Sequence, residues 1–367
     1  MGSFLKPAML HTAKTLGLFA LSRRLMRGKL RILCYHGVSL MDEEKFVPRL
    51  FITPGEFERR MDFLAAAGYD VLSLDAALNR LKAGTLPADP VVITIDDGFY
   101  SVYKLAMPVL ERHRFPAVLY LTSYYFEKGV PIFNLVVDYM FWTTTKTGAD
   151  LGSLGVPEIP AGMATFPDTA SKERLANTII AYGNSLDGKD KRATLARALG
   201  ELLEVSYETL EHNRILSLID AEELAALRNA GIEIELHTHR HDLPPETDKA
   251  VEAIELNRKA VEPYLPAPMR HFCYPSGVWS REHWPALAAS GVESATTCET
   301  GLVYPTTEMF ALPRILDSAR VSQIEFEAEL SGFLELKRRL LGALRRPPEV
   351  KSSPVAATDQ SSEQMIG

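Results

Sequence analysis

The sequence predicts an α/β protein, a distorted (β/α) barrel carrying a helical insertion. Three observations predict it: short apolar runs alternating with capped helical segments, polar clusters at the ends of those runs, and one stretch, 126–211, that breaks the rhythm. Apolar runs without in–out alternation suit parallel strands buried on both faces. Their regular alternation with helices calls for parallel pairing.

The elements follow in order. Residues 1–29 form a helical segment whose apolar stretch, Leu16 to Leu21, precedes Arg23, Arg24, Arg27 and Lys29. The stretch is too short to span a bilayer. Its charges follow rather than precede the apolar part, unlike a signal peptide. The segment is expected to pack on the domain or to lie, as a basic amphipathic helix, against a membrane surface. The first strand is 30–35, and a polar segment covers 41–50. Thr53-Pro54-Gly55-Glu56 opens a helix to about 67, with Thr as cap, Pro in the first turn and Glu three residues on. A short strand at 69–72 and a helix capped by Ser73 come next. The strand 91–95 ends in Asp96-Asp97-Gly98, followed by a helix to about 114 and a strand at 117–122.

The insertion, 126–211, is read as mostly helical, a lid or a substrate-shaping subdomain. The barrel rhythm then resumes. Asp220 caps a helix, the strand 232–236 runs into His237-Thr238-His239-Arg240-His241, and a helix spans 248–264. Strands at 271–274, 292–297 and 311–316, a helix at 281–290 and one long helix at 322–344 complete the set. The barrel thus comprises 30–125 and 212–345, and the polar tail 346–367 is expected to be disordered.

Bulk properties narrow the function. The 367 residues carry a net charge of −7, which provides no basic field for nucleic acid. Three cysteines, Cys34, Cys273 and Cys298, are too few and too scattered for a disulfide framework, and read as buried thiols of a reducing compartment.

The chemistry concentrates where strands end. Tyr35-His36-Gly37, Asp96-Asp97-Gly98, the 237–241 histidine run and Tyr274-Pro275-Ser276-Gly277 all follow strand C-termini, the end at which barrels build active sites. Two adjacent carboxylates would repel if buried unpaired, and a divalent cation resolves that. His237 and His241 are suitable imidazole ligands. One carboxylate and two imidazoles leave coordination positions open, as in catalytic rather than structural sites. Read without such a site, Asp96-Asp97 is a helix cap, the histidines are surface residues, and Tyr139, Trp142, Trp279 and Trp284 are core.

Ile93-Thr94-Ile95-Asp96-Asp97-Gly98 resembles the T-F-D-D-G motif of the polysaccharide deacetylases, the NodB-homology carbohydrate esterases. His237-Thr238-His239-Arg240-His241 is similar to their histidine motif, and Phe272-Cys273-Tyr274-Pro275-Ser276-Gly277 to their third motif. Leu33-Cys34-Tyr35-His36 and Leu312-Pro313-Arg314-Ile315 resemble the branch that deacetylates poly-N-acetylglucosamine exopolysaccharide. The resemblance implies the NodB-type barrel and metal-dependent removal of an N-acetyl group from an amino sugar. It implies Asp97, His237 and His241 as ligands of a divalent metal, zinc first, with Asp96 as the base. By the same resemblance, His36 is the acid that protonates the leaving amine, and the Tyr274–Gly277 turn supplies an oxyanion donor.

Two departures stand out. Cys273 occupies the place of an arginine that pairs with the base, with Arg270 and Arg314 as candidate substitutes, and Ser276 replaces an aromatic residue. Two rival readings follow: a metal-binding carbohydrate module impaired in turnover, and a metallohydrolase acting on another C–N bond. The expected partner is a carbohydrate. The expected location is cytoplasmic, with peripheral contact at the inner membrane face.

Overall fold

A computed structural model describes residues 2–186 and 189–344. The tail assigned to 346–367 lies outside the described residues.

Eight parallel strands carry the fold: β1 (Arg31–Tyr35), β2 (Asp70–Val71), β3 (Pro90–Asp97), β4 (Ala117–Leu121), β5 (Ile232–Leu236), β6 (His271–Cys273), β7 (Ser294–Thr300) and β8 (Leu312–Leu316). Seven of them close a barrel in the order β1-β8-β7-β6-β5-β4-β3, because Leu33 of β1 pairs with Ile93 of β3 and also with Ile315 of β8. β2 adds at the start of β3 through Asp70 and Pro90. The closed parallel barrel with surrounding helices is the expected fold class.

Alternation along each strand sorts the core. Ile32, Val92, Val118, Tyr120, Cys273 and Leu312 share one apolar cluster, while Leu33, Ile93, Ile95, Leu119 and Leu121 pack in another with the helices. Asp96 and Arg314 continue the first set, so β3 and β8 bring an acid and a base to the same end of the barrel.

Helix Pro54–Ala66 starts as its sequence requires. The Glu56 amide donates to Thr53 Oγ1 at 3.2 Å, and the Thr53 amide donates to the Glu56 carboxylate at 3.3 Å. Two helices depart from expectation. The one after Gly98 begins as a π-turn, Val102–Ala106, before Met107–His113. Pro108 has no N–H to continue the ladder, and the turn widens ahead of it. The last helix is two, Gln323–Leu330 and Phe333–Leu344. Gly332 breaks it with φ +75°, where a Cβ would stand 2.5 Å from Met26 Cγ.

The insertion holds the helices Phe133–Thr143, Thr169–Ser185, Lys189–Leu203 and Tyr207–His212, and a short hairpin of Gly148–Ala149 with Ala164–Thr165. It leaves the barrel after β4 and returns before β5, which are neighbours in the sheet. A small parallel pair, Gly37–Val38 with Phe51–Ile52, folds over the C-terminal rim, with the Gly37 amide donating to Leu50 O at 2.9 Å. Among the described residues, no helix is long and apolar enough to cross a membrane.

Candidate metal centre and active site

Asp97 closes β3 in the left-handed region, φ 70°, which ends the strand alternation at that residue. Gly98 follows at φ +96°, where a Cβ would meet Leu121 Cδ1 at 2.3 Å, so the close approach that requires glycine is to the barrel wall. Thr238, His241 and Ser276 are also left-handed. Such backbone costs a non-glycine residue on the order of 1 kcal/mol. Its concentration at these three loops marks a place where geometry outweighs local comfort.

Asp97 Oδ1 stands 3.3 Å from His237 Nε2 and 3.4 Å from His241 Nε2. Both Asp97 carboxylate oxygens are buried without a hydrogen-bond partner. His237 Nδ1 faces Cys273 O at 2.8 Å, which fixes its tautomer and directs Nε2 toward Asp97. Burial drives His241 down to about 3, so its imidazole is neutral and its lone pair is available. At Asp97 burial would raise the carboxyl, but His237 and His241 outweigh it, and the group is held below its usual range. Donors bonded tetrahedrally to one zinc ion at 2.0–2.1 Å lie about 3.3–3.4 Å apart. The spacing, the orphaned carboxylate oxygens and the N/O donor set all fit a small divalent cation, and the three residues form a candidate metal cluster.

Asp96 is balanced by other means. Arg314 donates two hydrogen bonds to it, Nη1 to Oδ1 and Nη2 to Oδ2, each at 2.8 Å. Arg314 is held in turn by Thr297 O at 2.8 Å and Thr94 Oγ1 at 3.1 Å. Burial opposes ionisation of Asp96, yet the Arg314 charge holds it well below the carboxylate range. His36 Nε2 lies 3.8 Å from Asp96 Oδ2 across the cleft.

Arg314 therefore stands where the third motif lacks its arginine. Arg270 does not reach the site, because it pairs with Asp75 and Glu293 and lies ahead of the start of β6, toward the opposite end of the barrel. In the Tyr274–Gly277 turn, Tyr274 and Ser276 line the cleft. The Gly277 amide is committed to Tyr274 O at 3.1 Å, and Pro275 has no N–H, so neither donates to a ligand. His239 turns away to Ser123 Oγ at 2.9 Å.

The gathering of three thiols around the Asp96–Arg314 pair is a feature that sequence reasoning missed. Cys273 Sγ is 3.4 Å and Cys34 Sγ 3.6 Å from Asp96 Oδ2, and Cys298 Sγ is 3.8 Å from Arg314. Parity with Asp96 along their strands was the one available signal for Cys34 and Cys273.

The fold and the rim define a NodB-type (β/α) barrel. The family model described as polysaccharide deacetylase matches residues 184–295, a stretch in which the chain is similar to the polysaccharide deacetylases. The match covers the histidine run and third motif, while β3 lies before it. A Bacillus subtilis (strain 168) protein, YxkH, whose name assigns it provisionally to the polysaccharide deacetylases, is 33% identical over 94 residues; these are 25% of this chain and 32% of that protein's length. The matched part is thus about one third of that curated relative. Among solved structures, the Streptococcus pyogenes deacetylase PplD in complex with acetate aligns with TM-score 0.55 and 15% identity, covering 83% of this chain and 99% of its own. IcaB from Ammonifex degensii aligns with TM-score 0.50 and 18% identity, covering 83% and 98%. A de-N-acetylase from Aggregatibacter actinomycetemcomitans aligns with TM-score 0.51 and 15% identity, covering 82% and 99%. At these identities the structural likeness speaks for the fold.

Proposed function

We propose that the protein hydrolyses the N-acetyl group of an amino sugar within a saccharide, in a metal-dependent reaction. The observation that carries this reading is a division of labour between adjacent carboxylates. Asp97 is buried, unsatisfied and faced by two imidazole nitrogens, while Asp96 is charge-balanced by Arg314 in the same cleft.

Asp97, His237 and His241 would hold the cation. A divalent ion, zinc first, supplies Lewis-acid polarisation of the acyl carbonyl and acidifies water at the site. Asp96, kept ionised by Arg314, accepts the proton of the attacking water. His36, across the cleft, donates a proton to the nitrogen as the C–N bond breaks, giving acetate and a free amine. The Nδ1 contact of His237 with Cys273 O keeps the first ligand aimed. Leu50 adds an apolar side chain to the lining of the cleft.

The Cys273 departure motivated the reading of an impaired module. Arg314 supplies in space the cation that the third motif lacks in sequence, which favours turnover. The test is metal analysis of the purified protein, with acetate release from a panel of N-acetylated saccharides. Asp96→Asn should retain about one equivalent of metal and lose activity by at least about a thousandfold. Asp97→Asn should lose the metal itself. Loss of metal in Asp96→Asn, or wild-type acetate release without metal, would sink the assignment. Sugar affinity with no acetate release from any member of the panel would favour the binding module.

A further inference from the structure

The cleft above the metal residues has a cavity of only about 10 Å³. An acetamide can be processed there, but nothing in the cleft holds the rest of a saccharide. A much larger cavity of about 440 Å³ opens beside it, within the range of ligand sites. One short segment separates the two: Leu50 lines the cleft, while the preceding Phe46 to Arg49 line the larger groove. The far wall comes from the insertion, through helices Phe133–Thr143 and Thr169–Ser185, and Arg320 closes one side.

The groove's lining is neither a core nor a plain charged surface. Trp142 is 41% exposed, and its ring leans on Phe46 and Tyr139 with centroids 5.6 and 5.7 Å away. A supported, half-open indole presents a flat apolar face of the kind that packs on the C–H face of a sugar ring. Asp138, Glu173, Asn177, Arg49 and Arg320 surround it with donors and acceptors suited to hydroxyl groups. Asp138 is pushed up to about 7 by burial and by Glu173. Its carboxyl lines the groove within reach of a ligand.

We propose that this groove, walled by the insertion, holds further sugar units of the glycan whose reacting residue sits at the metal cleft. The inference rests on the deacetylase reading and adds a role for the insertion. The test compares kcat/KM for N-acetylglucosamine and for its β-linked tetramer. The wild type should favour the tetramer by about tenfold or more, the equivalent of one good ring-stacking contact. Trp142→Ala should bring that ratio close to one, and Trp142→Phe should restore most of it. A second readout needs no turnover: binding of the tetramer to the Asp96→Asn protein by calorimetry, weakened about tenfold by Trp142→Ala. Equal kcat/KM for both lengths, with tetramer binding indifferent to Trp142, would overturn the groove. Trp142-dependent binding without acetate release would overturn the activity and leave the groove standing.

A separate observation concerns the opposite end of the barrel. Helices Gly2–Thr15 and Leu18–Leu25 sit beside the strand N-termini, with the Gly28 amide donating to Ala88 O at 2.8 Å and Arg23 paired with Asp89. Leu18, Leu21 and Leu25 share one helix face and are 37%, 55% and 58% exposed, and Leu16 beside them is 70% exposed. Before Asp42 the chain has seven Lys and Arg and no acidic residue, against −7 for the whole. Lys14, Arg23 and Arg31 are paired with acids, but Arg24 and Arg27 are exposed with no acid partner among the described residues. Leucines at the tip with unpaired arginines around them complement an anionic bilayer.

We infer that this face docks on anionic lipid, leaving the metal cleft turned to the aqueous side. Full-length protein should co-sediment with phosphatidylcholine vesicles containing phosphatidylglycerol, weakly with pure phosphatidylcholine, and less at high salt. Leu16, Leu21 and Leu25 changed together to Ser should abolish binding, with activity on soluble substrate unchanged. Arg24→Glu with Arg27→Glu should remove the preference for phosphatidylglycerol. No vesicle binding by the wild type, or a solution dimer that the leucine variant dissociates, would overturn it.

Discussion

At the barrel rim Asp96 accepts two hydrogen bonds from Arg314, which is itself held by Thr94 and Thr297. Across the Phe46 to Arg49 segment, Asp138 faces the groove, its carboxyl pushed up to about 7 by burial and by Glu173. The rim residues are buried, interlocked and in several cases left-handed, while the groove sets a half-exposed Trp142 and polar side chains beside buried Val47, Phe141 and Ala176. Bond breaking needs reacting groups fixed to within fractions of an ångström, and interlocking achieves that. Gripping a chain of sugars needs area and adaptable polar contacts. On the proposed function the two regions would divide these tasks, so damage should propagate at the rim and stay local in the insertion.

The sharpest way to break this contrast is Arg314→Ala. It strands a buried Asp96, and should cost about 3–5 kcal/mol in urea unfolding, together with at least about a hundredfold in kcat. A variant as stable as the wild type would show the rim to be less coupled than described. Gly98→Ala should cost about 2–3 kcal/mol and lower metal retention, because the new methyl strikes Leu121 at a left-handed position.

Glu235 sharpens the contrast from within the barrel wall. Burial pushes its carboxyl up to about 8, although the Arg270 and His271 amides donate to it. An acid whose folded value exceeds its unfolded value contributes stability below the unfolded value, about 4, and loses it as pH rises toward 8. Glu235→Gln should flatten that slope and gain on the order of 1–2 kcal/mol at pH 9 relative to wild type, with little difference at pH 5, by urea melts at both. The smallest effect belongs to the insertion. Tyr139→Phe removes a hydroxyl that donates to Asp42 at 2.8 Å, and should cost about 1 kcal/mol with kcat on a monosaccharide within about twofold.

Much of the barrel was legible because its signals are local. The Thr53 box, the Ser73 and Asp220 caps and the apolar strands each declare themselves within a few residues. The convergence of Asp97, His237 and His241 was legible because their motifs sit at strand ends, where topology brings them together. What escaped was set by pairing across the barrel. Arg314 and Arg270 look alike in sequence, and only the closure of β8 onto β1 puts one of them beside Asp96, 218 residues away. The break at Gly332 was hidden because its cause, Met26, lies at the other end of the chain. The groove was hidden because its walls come from the insertion, the Phe46 to Arg49 segment and Arg320.

Closure has a further consequence, for synthesis. β1 finds its second neighbour only in β8, and Tyr35 hydrogen-bonds Asp317 across 282 residues. A nascent chain emerging from the ribosome therefore carries an open sheet, with one edge of β1 unsatisfied, until nearly the whole polypeptide has been made. Asp97 is translated long before His237 and His241, so on the proposed function ion capture would belong to the last stage of maturation. Truncations that stop short of β8 should accumulate as aggregation-prone species that bind no metal, whatever their motifs contain.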